Sequence, residues 1–349
     1  MICAPNNLIP GVKKNSTYCF LVGPIKGSDK WQFTVPEIDG ITWVNPRRPE
    51  KIEGELPQEE WLKQVNWETK GLRISDVVLV WIPKAIEENV SNYAKTTRSE
   101  ITEVLARRKK VIIGIEDNIS GKRYLVEKAK QYGINVVHNS LDGCLDELKL
   151  WYKNRGVDTF FTSDTHFNQQ RTLELSQRPF RDLDDMNWSL IENWNRVVTP
   201  TSKIFIIGDF GDYSYLKYLN GQPVVIFGNY EFKEMDEKKM DTVDYSDWLK
   251  SLGVSNVHFN YAICTINSKK NDFVEEVKLF HEPHKYYEGP RYKFGVLGHC
   301  HQVMIRKFKD GGYGFNVGVD CNNYAPVNED KVAFYLNAMK KFYDYETWI

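Results

Sequence analysis

The stretch VVIFGNYE, residues 224–231, runs four apolar residues straight into Gly228-Asn229. A strand that merely ends in a turn reads this way, because Gly and Asn adopt positive φ most cheaply. So does a strand that delivers Asn229 and Tyr230 to a site, and the neighbouring runs bear on the choice. FFTSDTH (160–166) ends in Asp164 and His166, two apart, so both project from one face of an extended chain. IFIIGDFGD (204–212) ends in Asp209 and Asp212, KLFHEPHK (278–285) holds His281 and His284, and GVLGHCHQ (295–302) holds His299 and His301. Taken singly, a histidine near a strand end is more often a hydrogen-bonded surface residue. Six of the seven histidines lie after residue 156, however, and four of those six follow apolar runs. Strand ends gathered in this way form the crevice in which open α/β sheets bind ligands.

Further apolar runs at 159–163, 203–207, 223–227, 277–281, 294–298 and 314–319 give the second half a series of short strands. The first half alternates differently. TYCFLVG (17–23), DVVLVWIP (76–83), KKVIIGI (109–115) and INVVH (134–138) are continuous β-branched runs of the kind buried on both faces of a parallel sheet. Amphipathic segments lie between them near 59–75, 98–108 and 121–132. The expected fold class is α/β: a doubly wound parallel-sheet domain over 1–155, then a second domain over 156–349. A helix near 140–154 leads into the junction at 155–157, with no Gly/Ser linker.

Bulk properties narrow the partners. The 349 residues carry 46 basic and 47 acidic side chains, a formal charge of −1, so no global field recruits nucleic acid or an anionic membrane. The six cysteines form no C-x-x-C pair, which argues against a zinc knuckle and a disulfide framework and for reduced thiols in a cytoplasmic protein. No apolar stretch approaches the roughly 18 residues of a membrane span.

Two carboxylates stand out in the first half. In EEWLKQVNWETKGLRIS (59–75), Trp61, Val65 and Leu72 share a stripe with Glu68, which places a carboxylate on the expected inward face. The alternative is a helix-rim glutamate bonded to a nearby loop. In TTRSEITEVLARR (96–108), Thr97 and Glu100 have the spacing of a capping box, which would occupy Glu100 structurally. A site at a helix N-terminus would also offer its amides to an anion.

The ordered motifs D-x-H, G-D-x-x-D, G-N-x-E, H-x-P and G-H-x-H over residues 158–340 resemble the calcineurin-like metallophosphoesterase family. The flanking RPF (178–180), ENWN (192–195) and NVGVD (316–320) resemble its small bacterial and phage members. That resemblance implies an αββα sandwich and two divalent metal ions. Asp164, His166, Asp209 and His301 would hold one, and Asp209, Asn229, His281 and His299 the other, with Asp209 bridging. The mixed N/O donor set suits Mn, Fe or Zn, and two such ions clamp the attacking and leaving oxygens of an in-line displacement. Tyr230 stands where the family has a histidine that contacts phosphate and protonates the leaving oxygen. With a reference pKa near 10, a tyrosine is a poor general acid at pH 7. Asn168-Gln169 likewise replaces the family's Gly-His. Asp212 is expected to orient a ligand and His284 to be structural.

G-P-I (23–25), N-P-R-R (45–48), V-N-W-E (65–68), S-D-V-V-L-V-W-I-P (75–83) and T-x-x-E (97–100) resemble nucleoside 2-deoxyribosyltransferase-like proteins over residues 15–140. Here the resemblance implies that Glu100 attacks the sugar C1′ and that Glu68 contacts or protonates the base. Gly23, Pro24, Asn45, Arg47, Arg48, Asp76 and Arg98 would bind substrate. Thr96 replaces a family glycine, which keeps hydrolysis and mere binding open beside transfer. Relatives of this kind often complete their sites across subunits, so a homo-oligomer is what the resemblance implies.

The combined expectation is a bifunctional nucleotide-processing enzyme: a metal-dependent phosphoesterase fused to an N-glycosidic-bond cleaving or deoxyribosyl-transferring domain. Its partner is a small nucleotide or nucleoside. The rivals are a phosphodiesterase regulated by an N-terminal nucleotide sensor and a nuclease acting on nucleic-acid ends, the latter disfavoured by the lack of a basic tract.

Overall fold

The computed structural model describes residues 1–5, 16–50, 56–86, 93–107, 109–153, 158–286, 292–308 and 311–342. The chain divides into two compact units, Met1–Arg155 and Gly156–Ile349. The expected junction at 155–157 lies outside the described residues.

In the first unit, β1 (Ile2–Cys3), β2 (Thr17–Val22), β3 (Ile41–Asn45), α1 (Gln58–Ile74), β4 (Val77–Ile82), α2 (Lys95–Ala106), β5 (Lys110–Ile115), α3 (Lys122–Gln131) and α4 (Leu141–Lys153) follow in order. The strands form a parallel sheet in the order β1-β3-β2-β4-β5. The chain winds from β2 outward to β3, then returns past β2 to β4. The order therefore reverses between β2 and β4, and the crevice outside their C-terminal ends is where such sheets take ligands. β2 and β4 are buried along their whole length, as their unbroken apolar runs require.

Two elements differ from expectation. INVVH forms no strand; only His138 bridges to Gly114, and Val136 is 56% exposed, so the run lacks the double burial of an inner strand. In α1 the buried face is Trp67, Gly71, Leu72 and Ile74, while Trp61 is 52% exposed and Val65 is 37% exposed. Gly71 sets this rotation. A Cβ there would lie 2.7 Å from the Phe20 ring, so the helix lies closest to β2 along the 67/71/74 stripe, and Glu68 is left half-buried beside it.

The second unit runs β6 (Thr159–Thr162), α5 (Gln170–Leu175), α6 (Leu183–Val197), β7 (Lys203–Ile207), β8 (Gln222–Ile226), α7 (Asn229–Glu237), α8 (Thr242–Ser251), β9 (Asn256–His258), β10 (Ala262–Ser268), β11 (Phe273–Leu279), β12 (Phe294–Leu297), β13 (Ile305–Lys307), β14 (Tyr313–Asn316), β15 (Val327–Asn328) and α9 (Glu329–Phe342). Two mixed sheets result, β15-β6-β7-β8-β9 and β10-β11-β12-β14-β13. Strand alternation assigns the faces. Phe161, Phe205, Ile207, Val224 and Ile226 share one core with Val277, Leu279, Val296 and Phe315 of the other sheet and with Leu336 of α9. Phe160, Ile204, Ile206 and Val225 point the other way, into a second core with Leu190, Ile191 and Trp194 of α6 and Leu249 of α8. Among the described residues no helix is long and apolar enough to cross a membrane.

Candidate functional site

The second unit gathers every expected metal ligand beyond its strand ends. Asp164 and His166 follow β6, Asp209 follows β7, Asn229 opens α7 after β8, His281 follows β11, and His299 and His301 follow β12. All but Asn229 fall in two groups that could each hold a metal ion, Asp164-His166-His301 and Asp209-His281-His299, with donor atoms within 4.8 Å of one another in each. Asp209 Oδ2 lies between the groups, 3.3 Å from His281 Nε2 and 3.8 Å from His166 Nε2. Asn229 Oδ1 lies 3.2 Å from His299 Nδ1.

The imidazoles are held as ligands are held. His281 Nδ1 is 2.8 Å from the Ile207 carbonyl, His166 Nδ1 is 2.7 Å from Gln169 Oε1, and His301 Nδ1 is 2.7 Å from Asp320 Oδ2. Each partner accepts, so each Nδ1 carries the proton, and Nε2 is the atom facing the centre. Nε2 of His166 and of His281 are buried without a hydrogen-bond partner. Two buried imidazole nitrogens aimed at adjoining carboxylates fit a divalent cation, which would take the place of any proton between them. Burial lowers the His166 pKa. Burial also opposes charge on His281, but Asp209 and Asp164 outweigh it and raise its pKa to about 9.

Backbone strain is concentrated here. Asp164, His166, Asn168, Asp209 and His299 all have φ between 50° and 70°, a left-handed conformation that non-glycine residues hold only when their surroundings enforce it. Glu231 does much of the enforcing. Fully buried, it accepts the backbone N–H groups of Asp209 (2.9 Å), Phe210 (2.9 Å) and Gly228 (2.8 Å) and the Tyr213 hydroxyl (3.1 Å). Gly228 leaves no room for a side chain, since a Cβ would strike Asp209 Oδ1 and the His281 ring. Arg178, buried, donates to both Asp320 oxygens at 2.8 Å and to the carbonyls of Asp164 and Thr165. The roles of Gln169, Arg178, Glu231 and Asp320 escaped the sequence reading, although RPF, NVGVD and the glutamate after Gly-Asn-Tyr were visible signals.

Tyr230 sits edge-on to the His166 ring at 4.9 Å and donates its backbone N–H to Asp209 Oδ1 at 3.0 Å. Asp212 does not support a metal-group residue. It caps the turn at Ser214 N and accepts from Asn168 Nδ2. His284 lies on the surface against Glu282.

In the first unit Glu68 and Glu100 are brought together. Burial raises the Glu100 pKa to about 7, with further contributions from the Glu68 and Glu103 charges. Burial also raises that of Glu68, whose Oε1 accepts from Gln64 Nε2 at 2.8 Å. The expected capping box is absent: α2 begins at Lys95 after Ala94 in a left-handed conformation, so Glu100 lies in the second turn and is not consumed as a cap. Gly23 packs on Trp31 and the Trp81 carbonyl, and the Pro24 carbonyl accepts from Ser28 and Gln32. Asn45 Oδ1 accepts from Arg47 N, turning the chain after β3.

The three arginines have protein partners. Arg47 donates to Gln32 Oε1 and the Asp29 carbonyl, Arg48 to Gln64 and Glu60, and Arg98 to the Ser120 carbonyl. Asp76 is a correction. It precedes β4 and accepts from Tyr18 N at 2.7 Å, at the N-terminal edge of the sheet, opposite the edge where Gly23 and Asn45 lie.

Residues 16–119 match the family model described as nucleoside 2-deoxyribosyltransferase like. The chain is 19% identical to a solved structure of a protein of unknown function, AQ665 from Aquifex aeolicus, with a TM-score of 0.36 over 51% of this chain and 98% of that one. It is 31% identical over 185 residues to the uncharacterized protein MJ1445 of Methanocaldococcus jannaschii, a match spanning 50% of this chain and 88% of the relative. By that likeness the chain belongs to the family of MJ1445, and its residues 16–119 are nucleoside 2-deoxyribosyltransferase-like.

Proposed function

We propose that the protein is a bifunctional nucleotide-processing enzyme: the second unit a two-metal phosphoesterase of the calcineurin-like kind, the first cleaving or exchanging an N-glycosidic bond. The observation that carries the first half is Asp209 standing between two donor triads, with the buried Nε2 atoms of His166 and His281 turned toward its carboxylate. Two divalent ions there, Mn, Fe or Zn by the donor set, would supply the positive charge that phosphoryl hydrolysis draws on. The chain's own residues position them: Glu231 and Arg178 fix the ligand loops, and Tyr230 offers a hydroxyl to a phosphoryl oxygen. No side-chain nucleophile is needed in this unit.

In the first unit Glu100, with its pKa raised to about 7, is half ionised near neutrality, which suits a carboxylate that must attack C1′ and later leave. Glu68 serves the base. Arg47, Arg48 and Arg98 spend only part of their N–H donors on protein partners, so the substrate of this unit is a nucleoside or a nucleotide whose phosphate takes the remaining donors.

The test is one chromatogram. Metal-stripped and Mn²⁺-loaded protein are incubated with deoxynucleotides, ribonucleotides and the matching nucleosides, and free base and phosphate are read together. Metal-dependent phosphate release with metal-independent base release is expected. Absence of phosphate release at every metal tried removes the phosphoesterase. Absence of base release across the panel leaves the first unit as a nucleotide sensor.

A further inference from the structure

Beside the two triads lies a cleft of about 330 Å³, lined among others by Asn168, Asp212, Tyr230, Lys233, Glu234 and Glu237. Its volume is at the lower end of the roughly 300–1,000 Å³ of small-molecule sites. Tyr230 forms the wall it shares with the metal groups, since the same residue stacks edge-on to His166 and binds Asp209 Oδ1 through its backbone. Gln169, the acceptor for His166 Nδ1, also lines it.

The charge of this cleft is wrong for a second anion. Lys233 is the cation among its lining residues, and Glu237 stands 3.6 Å from the lysine Nζ. Glu234 accepts the Tyr245 hydroxyl and lies 3.6 Å from Lys238. Asp212 meets the Ser214 amide and Asn168, neither of which neutralises it. Carboxylates accept hydrogen bonds and donate none, so a group seated here must bring its own N–H or O–H donors and no negative charge. The Tyr230 ring offers a planar group a stacking face.

We infer that this cleft holds the organic part of the phosphoester and that this part is an uncharged nucleoside, its hydroxyl and amino groups donating to Asp212 and Glu237. The inference rests on the phosphoesterase reading of the triads and narrows it to nucleoside monophosphates. In the reaction, water oxygen joins phosphorus and the bond from phosphorus to the nucleoside oxygen breaks. The proton from water ends on that oxygen, giving inorganic phosphate and a neutral nucleoside. A second phosphate linked to the first would have to approach the acidic wall.

The experiment compares kcat/KM of the Mn²⁺-loaded full chain for deoxyadenosine 5′-monophosphate, deoxyadenosine 5′-diphosphate and p-nitrophenyl phosphate, at low and high salt. The monophosphate is expected to exceed the diphosphate by at least about tenfold, with the ratio shrinking as salt screens the carboxylates. The double variant Asp212→Asn, Glu237→Lys is expected to narrow or invert that ratio. Turnover of p-nitrophenyl phosphate with equal use of mono- and diphosphate overturns the inference and leaves the phosphoesterase intact. A wild-type preference unmoved by salt and by the variant overturns it too. No turnover of any of the three removes the phosphoesterase reading itself, and the inference with it. The wild-type ratio and its salt dependence decide the matter even if the variant fails to fold.

Discussion

His301 Nδ1 lies 2.7 Å from Asp320 Oδ2, and the same carboxylate receives Arg178 at 2.8 Å on both oxygens. Asp320 thus fixes the tautomer and the aim of a metal-group histidine while Arg178 fixes Asp320. Replacing Asp320 with Asn leaves one acceptor oxygen where His301 and Arg178 use two and turns an NH2 group toward one of them, which loosens the aim of the His301 ring. Outer partners of this kind typically contribute about 10–100-fold to metal affinity. A loss of that size in Mn²⁺ affinity is expected for Asp320→Asn by competition with a chelator. Affinity equal to wild type would mean His301 binds no metal.

His281 makes a second prediction. Its pKa of about 9 in the metal-free protein means that near neutrality the ring is largely protonated, and a metal ion must displace that proton. The apparent association constant should rise about tenfold per pH unit below that pKa. Calorimetry at pH 7.5 in buffers of different ionisation enthalpy should find about one proton released per site.

Glu231 is fully buried and receives four donors, three of them the amides that shape the Asp209 and Gly228 loops. Gln has one acceptor oxygen in place of two and turns an NH2 group toward donors, which leaves amides unpaired. With hydrogen bonds to a charged group contributing about 1.5–3 kcal/mol each, Glu231→Gln should destabilise the second unit by about 2–4 kcal/mol. Urea unfolding checks this, and Mn²⁺ affinity should fall with it.

The juxtaposition of six of the seven expected ligands in two side-chain groups was legible because chemistry at strand ends is local: an apolar run fixes the strand, and D-x-H or H-x-H fixes which side chains leave it together. Glu231 was less legible. Its bond to Gly228 N is local, the capping spacing at the head of α7, but its bonds to Asp209 N and Phe210 N reach a loop distant in sequence, and no spacing encodes those. The α1 face was misread for a related reason. Trp61 and Val65 satisfy the helical period, but Gly71 determines which side comes down on Phe20, and its effect depends on the partner surface. Asp76 is polar at a strand boundary, which identifies an end of the strand without saying which edge of the sheet carries the site.

Tyr230 predicts a dependence on leaving group. A histidine with a pKa near neutrality can protonate a departing oxygen where a phenol near 10 cannot, an effect of about 10²–10⁴ in rate. Tyr230→His should therefore speed hydrolysis of alkyl phosphates strongly and of p-nitrophenyl phosphate little. Equal changes for both esters would show that the residue takes no part in proton delivery.

In the first unit the signs follow from Glu100. Its folded pKa of about 7 lies above the roughly 4.3 of an unfolded glutamate. Between those values the folded chain holds a proton that the unfolded chain has lost, so stability is greatest below the lower value and declines as pH rises toward 7. Glu100→Gln should remove that decline, seen as a smaller difference in Tm between pH 5 and pH 8. Base release runs the opposite way, because attack on C1′ needs the carboxylate. Its kcat/KM should fall about tenfold per pH unit below 7. Glu68 bears on the position of this limb. The Glu68 charge helps raise the Glu100 pKa, so Glu68→Gln should shift the acid limb to lower pH whatever it does to the maximal rate. Burial, the larger cause of the raised value, persists in that variant, so part of the elevation stays; base release that survives Glu100→Gln would take the nucleophile's role away from Glu100.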